Sequence, residues 1–459
     1  MKKAAAVDRN SISVHVAEHD DHTPLGAVRC EIDRDLRFST ESLESYFFSQ
    51  WREEAYDALL LAAAVEFADR SCHRPVFGWR RSVQLRIPVH DIERWRAPAV
   101  SEPLKAVLDY LTGDSWEITF CQRNHIAQKP RQSSLALPPG VAAVIPFSNG
   151  LDSRAVGGLM ERKLGSRLVR VRLASRLQDA EGLKRRQLAF TNIPYKVGGS
   201  GRFVESSVRS RGFKFAIISG IAAYLSGATQ IIVPESGQGA LGPSLVPVGQ
   251  TYEDYRSHPS FTIRMERFFN GLFAKSITFS FPQIWHTKGE TLRSFIEECA
   301  DDQWAATRSC WQQSRQVGVD GRRRQCGVCA ACLLRRMSIH AAGGIEPDEH
   351  YVWENLSASS LEAGVARGFS CARITRAMRE YALAGVLHLD HLAGLRRRAA
   401  ESVRDVYCHQ LGQVIGLDRP HVREKLDRLI ERHAKEWSAF VSSLGLKSFV
   451  RNWAAEAQS

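Results

Sequence analysis

No apolar stretch in this chain reaches the roughly 20 residues that a bilayer core demands, so no membrane-spanning helix is expected. The opening Met1-Lys2-Lys3-Ala4-Ala5-Ala6-Val7-Asp8 meets charge too early for a signal peptide, and a cytoplasmic protein is expected. Internal repeats and low-complexity tracts are missing, which excludes solenoids and compositional linkers as the main architecture. Regular nucleic-acid recognition motifs are missing too. Cysteine is sparse outside one region: Cys30, Cys72, Cys121, Cys299, Cys371 and Cys408 follow no motif spacing, and no disulfides are expected. What is present is ordinary for a globular protein, 44% apolar and 24% charged. At 459 residues the chain exceeds what one core supports, so two or three domains are expected.

The apolar run 141–147 leads into Ser148-Asn149-Gly150-Leu151-Asp152-Ser153, and an amphipathic stretch follows from Arg154. Strand, glycine-bearing turn and helix in that order place N–H groups and hydroxyls at a helix N-terminus, where an anion is held. The loop lacks the lysine-hydroxyl ending of the G-x-x-x-x-G-K-[ST] phosphate loop. Asp152 in its place suits a divalent cation on a triphosphate better than the phosphate itself. Taken alone, these six residues read equally well as an ordinary Ser/Asn/Gly turn.

Cys326-Gly327-Val328-Cys329-Ala330-Ala331-Cys332 spaces three thiols as C-x2-C-x2-C, and Cys310 lies upstream. Four thiolates at such spacing close a tetrahedral zinc shell, and an iron-sulfur cluster fits similar spacing. Zinc is favoured because nothing else in the sequence suggests electron transfer.

The loop S-x-G-x-D-S resembles the S-G-G-x-D-S signature of the PP-loop ATPases, with Asn149 where that family has its first glycine. Combined with Ser309-Cys310 and Cys326, Gly327, Cys329, Cys332 and Arg335, it resembles 7-cyano-7-deazaguanine synthase, QueC, and its longer QueC-like relatives of antiphage defence operons such as the Qat system. The resemblance covers about residues 140–345. It implies a Rossmann-like (HUP-type) α/β parallel-sheet core and cleavage of ATP, with Mg2+, to AMP and pyrophosphate. It implies activation of a 7-deazaguanine carboxylate as its adenylate, then attack by an amine, either ammonia or an amine of a partner protein from the same operon; another PP-loop branch, such as a tRNA-modifying enzyme, and a non-enzymatic zinc-knuckle nucleic-acid-binding module are the alternatives. The ATP loop would be Ser148, Asn149, Gly150, Leu151, Asp152 and Ser153, and Zn2+ would sit on Cys310, Cys326, Cys329 and Cys332.

Between the motifs, Arg209 and Arg211 precede an apolar helix, 213–225, where guanidinium groups would face phosphates or a carboxylate; a solvated basic turn is the plainer reading. Glu235 follows a buried strand, 231–234, and either accepts from the edge of a guanine-like base or is a surface carboxylate. Lys288, in Thr287-Lys288-Gly289-Glu290 at a helix start, would supply a cation for the leaving pyrophosphate. His258, before Pro259, reads as structural. Gly239-Ala240-Leu241-Gly242-Pro243-Ser244 replaces the acidic, tyrosine- and cysteine-containing loop of the synthase, so base pocket or acceptor would differ.

Residues 1–135 alternate like strands at 11–16, 82–88 and 116–120, with helices at 53–70 and 104–111, and an N-terminal α+β domain is expected. Of Trp79, Trp95 and Trp116, at least two are expected in its core. Residues 128–139 read as a linker to a catalytic domain at 140–345. Residues 346–459 read as a helical extension, with helices at 373–387, 391–411 and 421–443 interrupted at Gly385, Gly412, Gly416 and Pro420; it is either a docking surface or a structural cap. The net charge is +12, with arginine clusters at 322–324, 335–336 and 396–398. Solvated faces explain such runs, and a nucleic-acid partner ranks below a protein partner.

Overall fold

A computed structural model describes residues 11–39, 43–47, 51–75, 80–125, 137–173, 190, 193–198, 203–206, 209–249, 252–301, 303–312 and 317–455. Trp79, Val208 and residues 128–136 of the expected linker lie outside them. The strands are β1 Ser11–Ala17, β2 Val28–Glu31, β3 Leu36–Phe38, β4 Ser82–Val89, β5 Ser115–Gln122, β6 Ala143–Phe147, β7 Leu168–Arg172, β8 Tyr195–Val197, β9 Gln230–Ile232, β10 Thr278–Ser280, β11 Gly318–Val319 and β12 Arg322–Arg323. The longer helices are α1 Glu53–Ser71, α2 Pro98–Thr112, α3 Leu151–Leu164, α4 Arg211–Ser226, α5 Pro259–Phe273, α6 Lys288–Cys299, α7 Ala330–Ala341, α8 Arg376–Gly394, α9 Glu401–Ile415 and α10 Arg419–Ser443. No helix among the described residues is long and apolar enough to cross a membrane.

By internal packing the chain forms two units, residues 1–148, 164–233 and 254–280 in one and 149–163, 234–253 and 281–459 in the other. The stretch 140–345 contributes to both. The first unit is α/β and holds two four-stranded parallel sheets, ordered β2-β1-β4-β5 and β10-β9-β6-β7. The N-terminal strands therefore correct the α+β expectation. Helix α1 lies in sequence between β3 and β4, and α2 between β4 and β5, so each strand is brought back in the same direction as its neighbour. In the second sheet β6 sits between β7 and β9, so strand order reverses there, and the carboxyl end of β6 leads into Ser148. Ligands of open parallel sheets gather at such reversals.

Helix α1 is buried at every residue from Ala55 to Asp69, as a helix apolar on most sides must be. Its buried carboxylates are each matched: Asp57 accepts from the His90 ring at 2.7 Å, Glu66 from Lys214 at 2.7 Å, and Asp69 from Arg74 at 2.6 Å. Arg81, fully buried, donates to Asp69 and also to Asp114 at 2.6 Å. Removing any one partner would strand a buried charge. Trp95 and Trp116 are core residues with no exposure.

The second unit is mostly helical. Its largest apolar cluster joins Val328, Leu333 and Met337 around α7 to Trp353, Val386, Leu389, Trp437 and Phe440 of the extension. Along α10 the buried residues Val422, Leu426, Leu429, His433, Trp437 and Phe440 recur every three or four positions, giving one buried stripe. The expected helix at 391–411 is corrected. Helix α8 continues to Gly394, and the chain then turns at 395–400, where Arg404 from the first turn of α9 donates to the carbonyls of Leu395 and Arg397. Gly385 and Gly412 interrupt nothing, whereas Gly416 caps α9 in the left-handed conformation and Pro420 sits in the first turn of α10.

Candidate functional site

Strand, turn and helix follow in the expected order, but α3 begins at Leu151, so Leu151, Asp152 and Ser153 of the six residues read as the loop form its first turn; the chain passes from the first unit to the second between Ser148 and Asn149. Asn149 is not among the residues with positive φ, so its side chain costs the loop nothing there. The inner face of α3, Leu151, Ala155 and Leu159, packs on Leu292 and Phe295 of α6. The approach is close. A Cβ on Gly158 would lie 2.3 Å from Phe295 Cε2, so only glycine admits the ring. This packing sets the first turns of α3 and α6 together, and Lys288 Nζ pairs with Asp152 Oδ2. Lys288 is 7% exposed, and Asp152 Oδ1 is buried with no hydrogen-bond partner among the described residues. A buried carboxylate oxygen left unmatched beside two positive helix ends costs free energy that an incoming donor or cation would recover.

The surrounding loops carry more such atoms. Arg308 N–H donates to the Asn149 carbonyl at 2.7 Å, and the next hydroxyl, Ser309 Oγ, is buried without a partner among the described residues. Gly237 N–H donates to the His286 carbonyl at 2.9 Å, joining the loop after β9 to the one before α6, and Ser236 Oγ and His286 Nδ1 are likewise buried and unmatched. Burial holds the His286 ring below the usual histidine range. Glu235 is half-buried and folds back over the start of the short helix Gly237–Ala240, where a Cβ on Gly239 would meet its Oε2 at 2.3 Å. Sequence reading missed Ser236, His286 and the position of Ser309, because none belongs to a spaced motif.

Arg209 and Arg211 belong to the first unit. Arg209 donates to the Thr112 carbonyl at 3.0 Å, and burial, with Arg74 beside it, lowers its basicity. Burial, with Arg256 beside it, does the same for Arg211. His258 is an N-cap: its Nδ1 accepts from Ser260 N–H at 3.0 Å, and burial lowers it to about 3, so the ring stays neutral.

The four cysteines gather in the second unit. The Sγ atoms of Cys310, Cys326, Cys329 and Cys332 all lie within 4.8 Å of one another, three of the residues buried and Cys310 half-buried. Cys326 Sγ and Cys332 Sγ are 3.7 Å apart, far beyond a disulfide bond. Four sulfurs around one zinc at about 2.3 Å are ~3.8 Å from each other, so the spacing fits that ion. Backbone N–H groups already point at two of the sulfurs, Cys326 N–H at 3.2 Å and Gln312 N–H at 3.4 Å from Cys310 Sγ, and Cys329 N–H at 3.3 Å from Cys326 Sγ. Thiol donors converging on Cys310 pull it below the ordinary cysteine range, whereas burial pushes Cys326 and Cys332 well above it. Gathering four thiolates in so small a buried space calls for a cation. Gly327 turns the knuckle with φ 93°, where a Cβ would sit 2.9 Å from the Trp353 carbonyl oxygen.

Arg335, one turn after Cys332, is fully buried and donates to Glu346 at 2.7 Å, to Thr307 Oγ1 at 2.6 Å and to the Trp304 carbonyl at 3.4 Å. The knuckle is thereby tied to the loop 304–310 that reaches Asn149. Of the two arginine clusters beside the cysteines, 335–336 is internal, since Arg336 donates to the carbonyls of Trp353 and Glu354. Arg322 and Arg323 are exposed.

No family model, no curated protein and no solved structure matches this chain.

Proposed function

We propose that the protein is an ATP-dependent ligase that activates a 7-deazaguanine carboxylate as its adenylate and passes the acyl group to an amine. One observation carries the reading: Asp152 and Lys288 pair at the abutting first turns of α3 and α6, and the second oxygen of Asp152 is buried and unmatched among the described residues. In this reading the triphosphate lies over Ser148 to Ser153, Asp152 holds the magnesium ion, and Lys288 balances the charge gathering on pyrophosphate. A carboxylate oxygen of the substrate attacks the α-phosphorus, the bond to the bridging oxygen breaks, and pyrophosphate leaves. An amine then attacks the acyl carbon and AMP departs, with ammonia or an amine of an operon partner as nucleophile and antiviral defence as the setting. Glu235, after β9, is the candidate for reading the base edge. Zinc on the four thiolates supplies no step; it fixes the loop that sets Arg308 and Ser309 against Asn149.

The test is AMP and pyrophosphate formation from ATP labelled at the α-phosphate with 7-carboxy-7-deazaguanine. Wild-type protein should form both, and D152N should lose at least about a hundredfold in rate while remaining folded. No AMP from the wild type, or an unimpaired D152N, overturns the reading. A second reading, a zinc-knuckle surface for nucleic acid, draws on exposed Arg322 and Arg323 and on Trp311, which is 54% exposed. It requires salt-sensitive nucleic-acid affinity that R322A/R323A abolishes.

A further inference from the structure

The first turn of α6 is fastened to the C-terminal extension by a buried chain of polar contacts. Lys288 N–H donates to Gln238 Oε1 at 2.7 Å, and Gln238 Nε2 lies 2.8 Å from His433 Nδ1. His433 Nε2 lies 2.8 Å from the Leu389 carbonyl oxygen, which only accepts, so the ring proton is on Nε2. Nδ1 must then accept from the Gln238 amide, whose oxygen is left facing Lys288. Each atom in the chain has one available role. Burial lowers His433 to about 4, which keeps the ring in that neutral form.

A second contact runs in parallel. Thr287 Oγ1 accepts from Glu290 N–H at 3.0 Å, Glu290 accepts in return from Thr287 N–H at 2.9 Å, and the Thr287 hydroxyl proton goes to Glu436 Oε1 on α10. Gly289 makes room, since a Cβ there would lie 2.8 Å from that same oxygen. A packing surface needs none of this, because apolar side chains of the same shape would cover α6 without the desolvation cost of Gln238, His433 and Glu436. The contacts end on the two residues that set the direction in which Lys288 leaves the helix.

We propose that α10 is a positioning element of the Asp152–Lys288 site: His433 through Gln238, and Glu436 through Thr287, hold the first turn of α6 so that Lys288 stays against Asp152. The catalytic part of this inference rests on the nucleotide reading; the geometric part does not. The test labels the protein with an amine-reactive ester and reads modification of Lys288 by mass spectrometry, with exposed Lys105 as internal reference. Q238M and E436A should raise Lys288 labelling by about tenfold, the weight of one buried hydrogen bond. E436Q, whose amide oxygen still accepts from Thr287, should label like wild type. If Q238M does not fold, H433Q takes its place, since it also removes the ring acceptor. In the AMP assay the same variants should raise KM for MgATP, and E436Q should restore it. Wild-type labelling in folded Q238M and E436A overturns the proposal. A wild-type protein that makes no AMP overturns the nucleotide reading alone, and the labelling still decides the positioning.

Discussion

Glu436 holds its proton unusually well: burial, with the negative charge of Glu290 nearby, raises it to about 7, against the pull of the Thr287 hydroxyl, Gln238 and Arg293. The raised value fixes the sign of its effect on stability. Below about pH 4.3, the ordinary glutamate value, the group is protonated in both folded and unfolded chains and costs nothing. As pH rises from there through about 7, the unfolded chain ionises first and folding loses stability, about 1.4 kcal/mol for each pH unit that separates the two values. The melting temperature of wild type relative to E436Q should therefore fall between pH 4.5 and pH 7, and a constant difference would refute the assignment. At Gly327, with φ 93° and a carbonyl 2.9 Å from the missing Cβ, alanine should cost about 1–3 kcal/mol and loosen metal retention, read by melting and metal analysis. At this scale the sequence disclosed what was contiguous or regularly spaced, namely the turn after β6 and the cysteine knuckle 326–332. The pairing of Asp152 with Lys288, of Gln238 with His433 and of Thr287 with Glu436 joins residues more than a hundred positions apart, and no local spacing encodes it.

Among the elements, the knuckle with α7 and the loop 304–312 acts as one piece, because Arg335 spans from Glu346 to Thr307 and Arg308 reaches Asn149. Chelating the metal, or C329A, should speed backbone hydrogen exchange in 304–312 and 326–332 and lower the melting temperature, while β1 and β4 in the first unit keep their protection. Unchanged exchange on chelation would remove the structural role given to the metal. The helices α1, α4 and α10 were legible from apolar spacing, and the helix start at 287–290 proved to be a capping box of Thr287 and Glu290, whereas α5 and α7 were not read. Strand direction was not legible in the N-terminal part, because alternation fixes which face is buried and says nothing of which neighbour a strand chooses. Gly385 was misread for a similar reason. It lies inside α8, and its missing Cβ lets the helix approach the knuckle backbone, where Ala330 N would be 2.8 Å from it. A glycine needed for close approach and one that ends a helix look alike in one dimension.

For the whole molecule, the extension is not a separable appendage, since Trp353, Val386, Trp437 and Phe440 share one apolar cluster with Val328, Leu333 and Met337. A chain ending at residue 345 should lose the second unit's cooperative unfolding and its capacity to hold a metal on the four cysteines, measured by calorimetry and metal content. Retention of both would mean that the cluster adds little. The two units also interleave, the chain crossing between them after residues 148, 163, 233, 253 and 280. A ribosome must therefore release α3 long before α6 exists to cover Leu151 and Leu159. At about 5–20 residues per second that delay is on the order of ten seconds, during which a nascent apolar stripe stands open to chaperones and to neighbouring polysome products.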